Sequence, residues 1–116
     1  MNHKDLEVWN KSMELVTAIY TITKNFPKDE VYGMVNQMRR CAVSIPSNIA
    51  EGCSRFSDKE TLKFLSISLG STSELETQLI ISNNIGYIDD IVDIQEQIEN
   101  VKKLLLGLIK YLNNKS

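Results

Sequence analysis

The sequence has a single histidine, His3, and this scarcity removes most familiar catalytic mechanisms. A serine or cysteine nucleophile with an imidazole base would depend on His3, which lies at a terminus where chains fray. A di-iron bundle needs two Glu-x-x-His motifs, and helical ribonucleases of one type need a histidine soon after an arginine. No histidine follows Arg39, Arg40 or Arg55. We therefore expect no catalytic residues, no metal site and no enzymatic activity.

Cysteines and long apolar runs are scarce as well. The two cysteines, Cys41 and Cys53, are too few for a disulfide framework or a zinc site, and we interpret them as buried packing residues. No apolar stretch is long enough to cross a bilayer, and the N-terminus lacks the apolar core of a secretory signal. These absences predict a cytoplasmic protein that is not embedded in a membrane.

Motifs for binding small molecules are also missing. The segment from Glu51 to Arg55 lacks the second glycine and the lysine of a phosphate-binding loop. Glu74 and Glu76 are two positions apart, which places them about 200° apart on a helix, so they cannot act on one substrate. We expect no cofactor and no small-molecule substrate, and we interpret both glutamates as solvated or interface residues.

What the sequence does contain is apolar residues at helical spacing. Steps of three and four predict helices at about 5–24, 29–52, 57–83 and 89–113, joined by short connections. We therefore predict an all-α fold, an antiparallel up-down four-helix bundle that spans residues 1–116 as one domain. The predicted core face of the first helix is Leu6, Trp9, Met13, Val16 and Tyr20. That of the fourth is Ile91, Ile94, Ile98, Val101, Leu105, Leu108 and Leu112.

Local signals refine the second and third helices. Pro46 lies inside helix two and predicts a kink there, while Gly52 is a natural C-terminal stop. Ser57 and Glu60 form a predicted capping box at the start of helix three. A stripe of small residues on helix three would let another helix approach closely; it comprises Ser66, Gly70, Ser73 and Thr77.

Helix four has more apolar surface than its own seam requires. Leu104, Leu106 and Ile109 extend beyond the seam, and we interpret this surplus as a contact between subunits. The alternative is a wide core face within one chain.

Charge is distributed unevenly, although the net charge is only −2 and the sequence pI is about 5.4. Residues 37–64 contain five basic and three acidic residues, a local excess of +2, whereas residues 89–101 contain five acidic and no basic residues. The asymmetry is consistent with an anion-binding patch that faces RNA, with complementary surfaces that dock subunits, or with an ordinary mixed-charge surface. The candidate binding residues are Arg39, Arg40, Arg55, Lys59 and Lys63.

Several motifs have a familiar combination and order. They are Asp5-Leu6-Glu7-Val8-Trp9, Phe26-Pro27, Tyr32-Gly33, Gln37-Met38-Arg39-Arg40, Ser44-Ile45-Pro46-Ser47-Asn48-Ile49-Ala50-Glu51-Gly52, Leu69-Gly70-Ser71 and Glu74-Leu75-Glu76-Thr77-Gln78-Leu79. Together they resemble the four-helix-bundle family of bacterial 23S rRNA intervening-sequence proteins, over residues 5–79. The resemblance implies a bundle that assembles into a homopentameric ring of poorly defined activity. A related branch, the accessory variability determinant of diversity-generating retroelements, binds a reverse transcriptase and nucleic acid.

Two hypotheses follow from the residues and the resemblance. The first is a non-catalytic homo-oligomer, a pentamer, that binds RNA or an RNA-handling protein, such as a ribosomal or reverse-transcriptase partner, through the basic patch. The second is a structural or regulatory assembly protein without nucleic-acid binding. The motif positions that we expect at an interface or in a structural role are Pro46, Asn48, Glu51, Gly70 and Glu74. The resemblance implies that Arg39, Arg40, Asn48 and Glu51 are interface or nucleic-acid-binding residues.

Overall fold

A computed structural model describes residues 1–115, and in this range the chain is helical with no strand. The long helices are α1 (Glu7–Thr23), α2 (Met34–Cys53), α3 (Asp58–Asn84) and α4 (Val92–Lys115). Short 3-10 helices lie at His3–Asp5 and Lys28–Glu30. The predicted all-α four-helix bundle is confirmed. None of these helices is both long and apolar enough to cross a membrane.

The four helices pack in sequential order around one core. Helix α2 contacts α1 and α3, and α4 contacts α3 and α1, so α2 and α4 occupy diagonal corners and do not touch within residues 1–115. The bundle measures 47 × 24 × 20 Å, and its long dimension is set by the length of the helices. The core seam predicted for α4 is confirmed, because all its members are buried except Leu108, which packs partly buried against the core.

Two helix starts lie later than predicted. Helix α2 begins at Met34 rather than near residue 29, because Pro27 is followed by a 3-10 turn and the chain reaches α2 only after Gly33. Helix α4 begins at Val92, where the Asp90 carboxylate accepts a hydrogen bond from the Val92 amide at 3.0 Å. This side-chain acceptor satisfies an amide that has no partner inside the helix.

The predicted core face of α1 is right only in part. Leu6, Trp9 and Val16 are partly buried and pack against the core. Met13 and Tyr20, which belong to that face, are 42% and 40% exposed. The neighbouring face is the buried one, and it includes two polar residues; its members are Val8, Ser12, Leu15, Ile19 and Thr23. Burial of the two hydroxyls is possible because Ser12 donates to the carbonyl of Trp9 at 2.8 Å and Thr23 to that of Ile19 at 2.7 Å.

Gly52 is not the stop that the sequence suggests. Helix α2 continues through it to Cys53, and Gly52 is buried against α3. A methyl group at this position would lie 3.0 Å from Cβ of Phe64 and 3.1 Å from the carbonyl oxygen of Thr61. The Thr61 hydroxyl donates to the Gly52 carbonyl at 2.7 Å. The glycine therefore permits close contact between two helices.

The serine half of the capping box of α3 is confirmed. The Glu60 carboxylate accepts from the Ser57 hydroxyl, at 3.4 Å, and not from the Ser57 backbone amide. Ser57 Oγ accepts a hydrogen bond from the Glu60 amide at 3.2 Å. Helix α2 runs through Pro46 without interruption, and the kink there stays a prediction. All four small residues of the α3 stripe are exposed, and no helix of the described chain covers them. A methyl group on Gly70 would meet nothing within 4 Å.

The apolar surplus of α4 belongs largely to the core. Leu104 and Ile109 are partly buried and pack against it, as the alternative of a wide core face predicts, and the contact between subunits stays a prediction. Leu106 alone of the three is exposed, at 49%. A wide core face explains the first two, because α4 fills the angle between α1 and α3.

Candidate nucleic-acid interface

The predicted basic patch separates into two groups in the folded chain. Arg39 and Arg40 lie in the first half of α2, whereas Arg55 follows its end and Lys59 and Lys63 lie in the first turns of α3. The helix rises about 20 Å between Arg40 and the end of α2, since each residue adds about 1.5 Å. The five cations therefore do not form one continuous surface.

Arg39 is engaged within the bundle. Its Nε donates to Thr23 Oγ1 at 2.9 Å, and its Nη2 donates to the carbonyl of Tyr20 at 3.3 Å. Its guanidinium carbon lies 4.5 Å from the centre of the Tyr20 ring. These contacts hold α2 against α1, and they present a guanidinium stacked on an aromatic ring at the surface.

The second basic group is partly neutralised. Arg55 pairs with Glu51 at 3.0 Å and stacks over Phe64, 4.7 Å from the ring centre. Lys59 and Lys63 are exposed and form no ion pair with any residue in 1–115. The group keeps two free lysines, and its arginine stabilises the connection between α2 and α3.

Arg40 differs from the other two arginines. It is exposed and has neither a hydrogen bond nor an ion pair in the part of the chain that the structure describes. It lines two open clefts. The cleft between α2 and α3, about 530 Å³, is also lined by Asn36, Gln37, Cys41, Ser44, Glu74 and Gln78. The cleft toward α1, about 570 Å³, is also lined by Tyr20, Asn36, Arg39, Val43 and Ser44.

The α2–α3 cleft has an unsatisfied polar group in its wall. Gln78 is only 8% exposed, and its Oε1 has no hydrogen-bond partner among the described residues. Glu74, one helical turn before it, is exposed and forms no ion pair there. Arg40 and Glu74 thus carry opposite charges on one cleft without pairing with each other. Buried polar atoms normally have partners, so an orphan acceptor marks a place where a donor fits.

Cys41 lines this cleft, and its thiol is hydrogen-bonded and protonated. Its thiol donates to the carbonyl of Ser71 at 3.0 Å. Burial, and then the hydrogen bond and the negative charge of Glu74, raises the pKa of the Cys41 thiol to about 12. Because the thiolate is the reactive form, a thiol with this pKa is a poor nucleophile near neutral pH. In residues 1–115, no group of three His, Cys, Asp and Glu side chains could hold a metal ion.

The remaining motif residues have local partners or line a separate groove. The Asn48 amide donates to the carbonyl of Ser44 at 2.8 Å, and Glu51 pairs with Arg55. Pro46 lines an apolar groove between α1 and α2 of about 340 Å³, with His3, Trp9, Met13, Val16, Val43, Ser47 and Ala50. Gly70 is exposed and apart from these clefts.

Sequence reasoning missed three of the residues that line the two Arg40 clefts. Tyr20 was placed in the core, and neither Gln37 nor Gln78 was identified as a site residue. The sequence contains one indication of Gln78, because it lies four residues after Glu74 and the two polar side chains therefore share a face of α3. For Tyr20 the sequence offers no such signal, since its exposure depends on which face of α1 is buried.

Comparison with known proteins agrees with the fold and the motifs. The profile of a family described as 23S rRNA-intervening sequence protein matches residues 4–107. A similar solved structure, with a TM-score of 0.80 and 28% identity, covers 89% of this chain and 98% of its own. It is a protein of unknown function from the S23 ribosomal protein family of Bacteroides thetaiotaomicron VPI-5482. No curated protein matches the chain. The resemblance is confirmed, and the chain belongs to the 23S rRNA-intervening sequence protein family.

Proposed function

We propose that this protein is a non-catalytic, homo-oligomeric cytoplasmic bundle that binds single-stranded RNA on the surface around Arg40. The observation that carries the proposal is an exposed arginine without a partner in residues 1–115, between two clefts that offer amides and a stacked Tyr20–Arg39 pair. Sequence-specific RNA recognition uses these groups, because unpaired bases stack on aromatic rings and guanidinium planes while arginine contacts phosphate.

The arrangement of charge supports this role in an acidic protein. The acidic residues 89–99 lie at and before the start of α4, and α4 occupies the corner diagonal to α2. Repulsion of phosphates by α4 is therefore weakened by distance and by salt, with a Debye length of about 8 Å at physiological ionic strength. A local cationic surface can bind an anion even though the net charge is −2.

The first experiment replaces Arg40 with glutamate and measures the affinity for single-stranded RNA by fluorescence anisotropy across a salt series. We expect weaker binding, because the new carboxylate repels the phosphates that pass the cleft, and a salt dependence whose slope falls by roughly 0.7 for each phosphate contact that is thereby lost. Lys110→Glu is the matched control, because it makes the same charge change on α4, the helix diagonal to α2. Unchanged affinity and slope in Arg40→Glu would remove the RNA role.

Self-assembly is the second part of the proposal. The apolar groove between α1 and α2 is lined by Trp9, Met13 and Val43, and Met13 and Val43 are exposed. Phe56, in the connection between α2 and α3, is fully exposed and so does not fill this groove in its own chain. We propose that a second copy fills it. A contact between two different surfaces of the same chain forms a ring when the rotation from copy to copy closes, and five copies would give the pentamer that the family resemblance implies.

The alternative is an assembly protein that binds no nucleic acid, and one observation favours it. Arg39 and Arg55 already have partners within the chain, which leaves few cations for phosphates. In this alternative Arg40 pairs with the acidic start of α4 in a neighbouring subunit. Light scattering of Arg40→Glu separates the two: under the RNA proposal the mass matches the parent, and under the alternative the oligomer dissociates.

A further inference from the structure

The α2–α3 cleft combines one cation, one anion and several neutral polar groups. Asn36, Gln37 and Arg40 lie within about one turn of α2, and Glu74 and Gln78 lie one turn apart on α3. Its volume of about 530 Å³ falls in the range of small-ligand sites, roughly 300–1,000 Å³. The two helices thus face one open cavity with donors and acceptors on both sides.

This combination suits a neutral group with a polar edge better than a phosphate. A phosphate near Arg40 would also approach the Glu74 carboxylate, and like charges repel. A neutral base can instead donate to the carboxylate and accept from the guanidinium. The cleft therefore has the chemistry of base recognition, whereas the neighbouring cleft toward α1, which Arg39 and Tyr20 line, suits the sugar-phosphate chain and stacking.

We infer that the α2–α3 cleft binds an unpaired guanine base of single-stranded RNA, with Arg40 and Glu74 as the residues that select it. The inference rests on the proposed function and names the base that this same surface recognises. Guanine presents two neighbouring acceptors, O6 and N7, which match the two donors of an arginine. It also presents two neighbouring donors, N1–H and the N2 amino group, which match a carboxylate. Adenine, cytosine and uracil lack this pair of edges.

The orphan acceptor of Gln78 is an independent indication. Its Oε1 has no partner in residues 1–115, although the side chain is more than nine-tenths buried. A guanine amino group has two hydrogens, so it can donate to Glu74 and still offer a donor to Gln78, whose buried Oε1 must first turn toward the cleft.

The test compares short labelled RNAs that differ at one base. An all-adenosine strand is the reference, and the others have one central guanosine, inosine or 7-deazaguanosine. Inosine lacks the N2 amino group, and 7-deazaguanosine lacks N7. We expect the guanosine strand to bind roughly tenfold tighter than the reference, the advantage of one good base-edge contact, and each analogue to lose part of it.

The variant that isolates the inference is Glu74→Gln, which keeps the size of an exposed side chain and removes its charge. We expect it to bind the adenosine strand at least as tightly as the parent does, because a negative charge near the RNA is removed, and to lose most of the preference for guanosine. Glu14→Gln is the matched control, because Glu14 is an exposed carboxylate on α1, away from the cleft. It should keep the full preference, and circular dichroism should show both variants folded.

The possible results separate the inference from the function on which it rests. Equal binding of all strands would overturn the guanine site and leave RNA binding intact. A preference that survives Glu74→Gln would overturn its location in this cleft. Failure of every strand to bind would overturn the proposed function as well. Free GMP, added as a competitor, tests whether the cleft binds guanine in RNA or as a free nucleotide. If GMP competes as strongly as the unlabelled guanosine strand does, RNA is not the ligand.

Discussion

The contact between α2 and α3 and the packing of α4 stabilise the same bundle with different side chains. Hydrogen bonds link α2 to α3 at several points, and small or polar residues fill the interface, among them Gly52, Thr61 and Ser68. Helix α4 instead contributes aliphatic residues, fully buried at Ile98, Val101 and Leu105. The difference shows that one domain can combine a close interface rich in hydrogen bonds with an interface made of aliphatic side chains.

The largest effect is expected where packing alone stabilises the bundle. Leu105→Ala removes a fully buried side chain of α4 and leaves a cavity, which should lower the free energy of unfolding by about 2–5 kcal/mol. Urea denaturation followed by circular dichroism measures this. Leu106→Ala, next to it but exposed, should change the stability by less than about 0.5 kcal/mol. Equal effects would mean that α4 does not use this seam.

The next effect tests the close approach of α2 and α3. Gly52→Ala should lower the free energy of unfolding by about 1–3 kcal/mol, because the new methyl group meets Phe64 Cβ and the Thr61 carbonyl at 3.0 and 3.1 Å. Gly70→Ala is the control, since its methyl group meets nothing within 4 Å and alanine favours helix by about 1 kcal/mol. A gain of stability in both variants would show that the interface is loose.

A smaller effect is expected from a single hydrogen bond across the interface. The buried Ser68 hydroxyl donates to the carbonyl of Ile45 at 2.9 Å. Ser68→Ala should lower the free energy of unfolding by about 1 kcal/mol. Ser66→Ala, on the exposed side of α3, should be neutral within about 0.5 kcal/mol. Thermal unfolding of the two variants under identical buffer conditions gives the comparison.

The smallest effect concerns an ion pair on the α4 side. Lys102 Nζ lies 3.4 Å from Glu76 Oε1, and this pair links α4 to α3 at a site where the two side chains are 25% and 27% exposed. Lys102→Met should cost about 0.5 kcal/mol in low salt, and less as salt is added. The effect of Ser68→Ala should not depend on salt, because its hydrogen bond joins neutral groups. A salt-independent effect at Lys102 would mean that packing of its aliphatic chain dominates.

The sequence predicts α4 well and α1 poorly for a physical reason. The apolar positions of α4 from Ile91 to Leu112 repeat with one period, so only one face can be buried. On α1 two neighbouring faces are plausible, and the one that contains Trp9 is the more apolar. The structure buries the other face because Ser12 and Thr23 satisfy their hydroxyls within the helix, a choice that composition does not reveal.

The candidate site shows a similar division. Arg40 and Glu74 are visible in the sequence as polar residues on helices, and both were candidates. That they share a cleft could not be predicted, because it depends on the alignment of α2 against α3. The engagement of Arg39 depends on a long-range contact to Tyr20, whereas Arg55 pairs with Glu51 one turn before it and stacks on Phe64 across the α2–α3 connection. A patch defined by sequence order alone therefore overstated how many cations are free.

The close contact at Gly52 also fixes the axial position of α3 along α2. A slip of α3 by one turn would move it about 5.4 Å, and the Phe64 side chain would lose its place over the glycine. The same slip would carry Glu74 away from Arg40 and bring a neighbouring turn opposite it. Gly52 thus fixes the alignment of α2 and α3 at one end of their interface. This alignment keeps Arg40 and Glu74 on the same cleft at the other end.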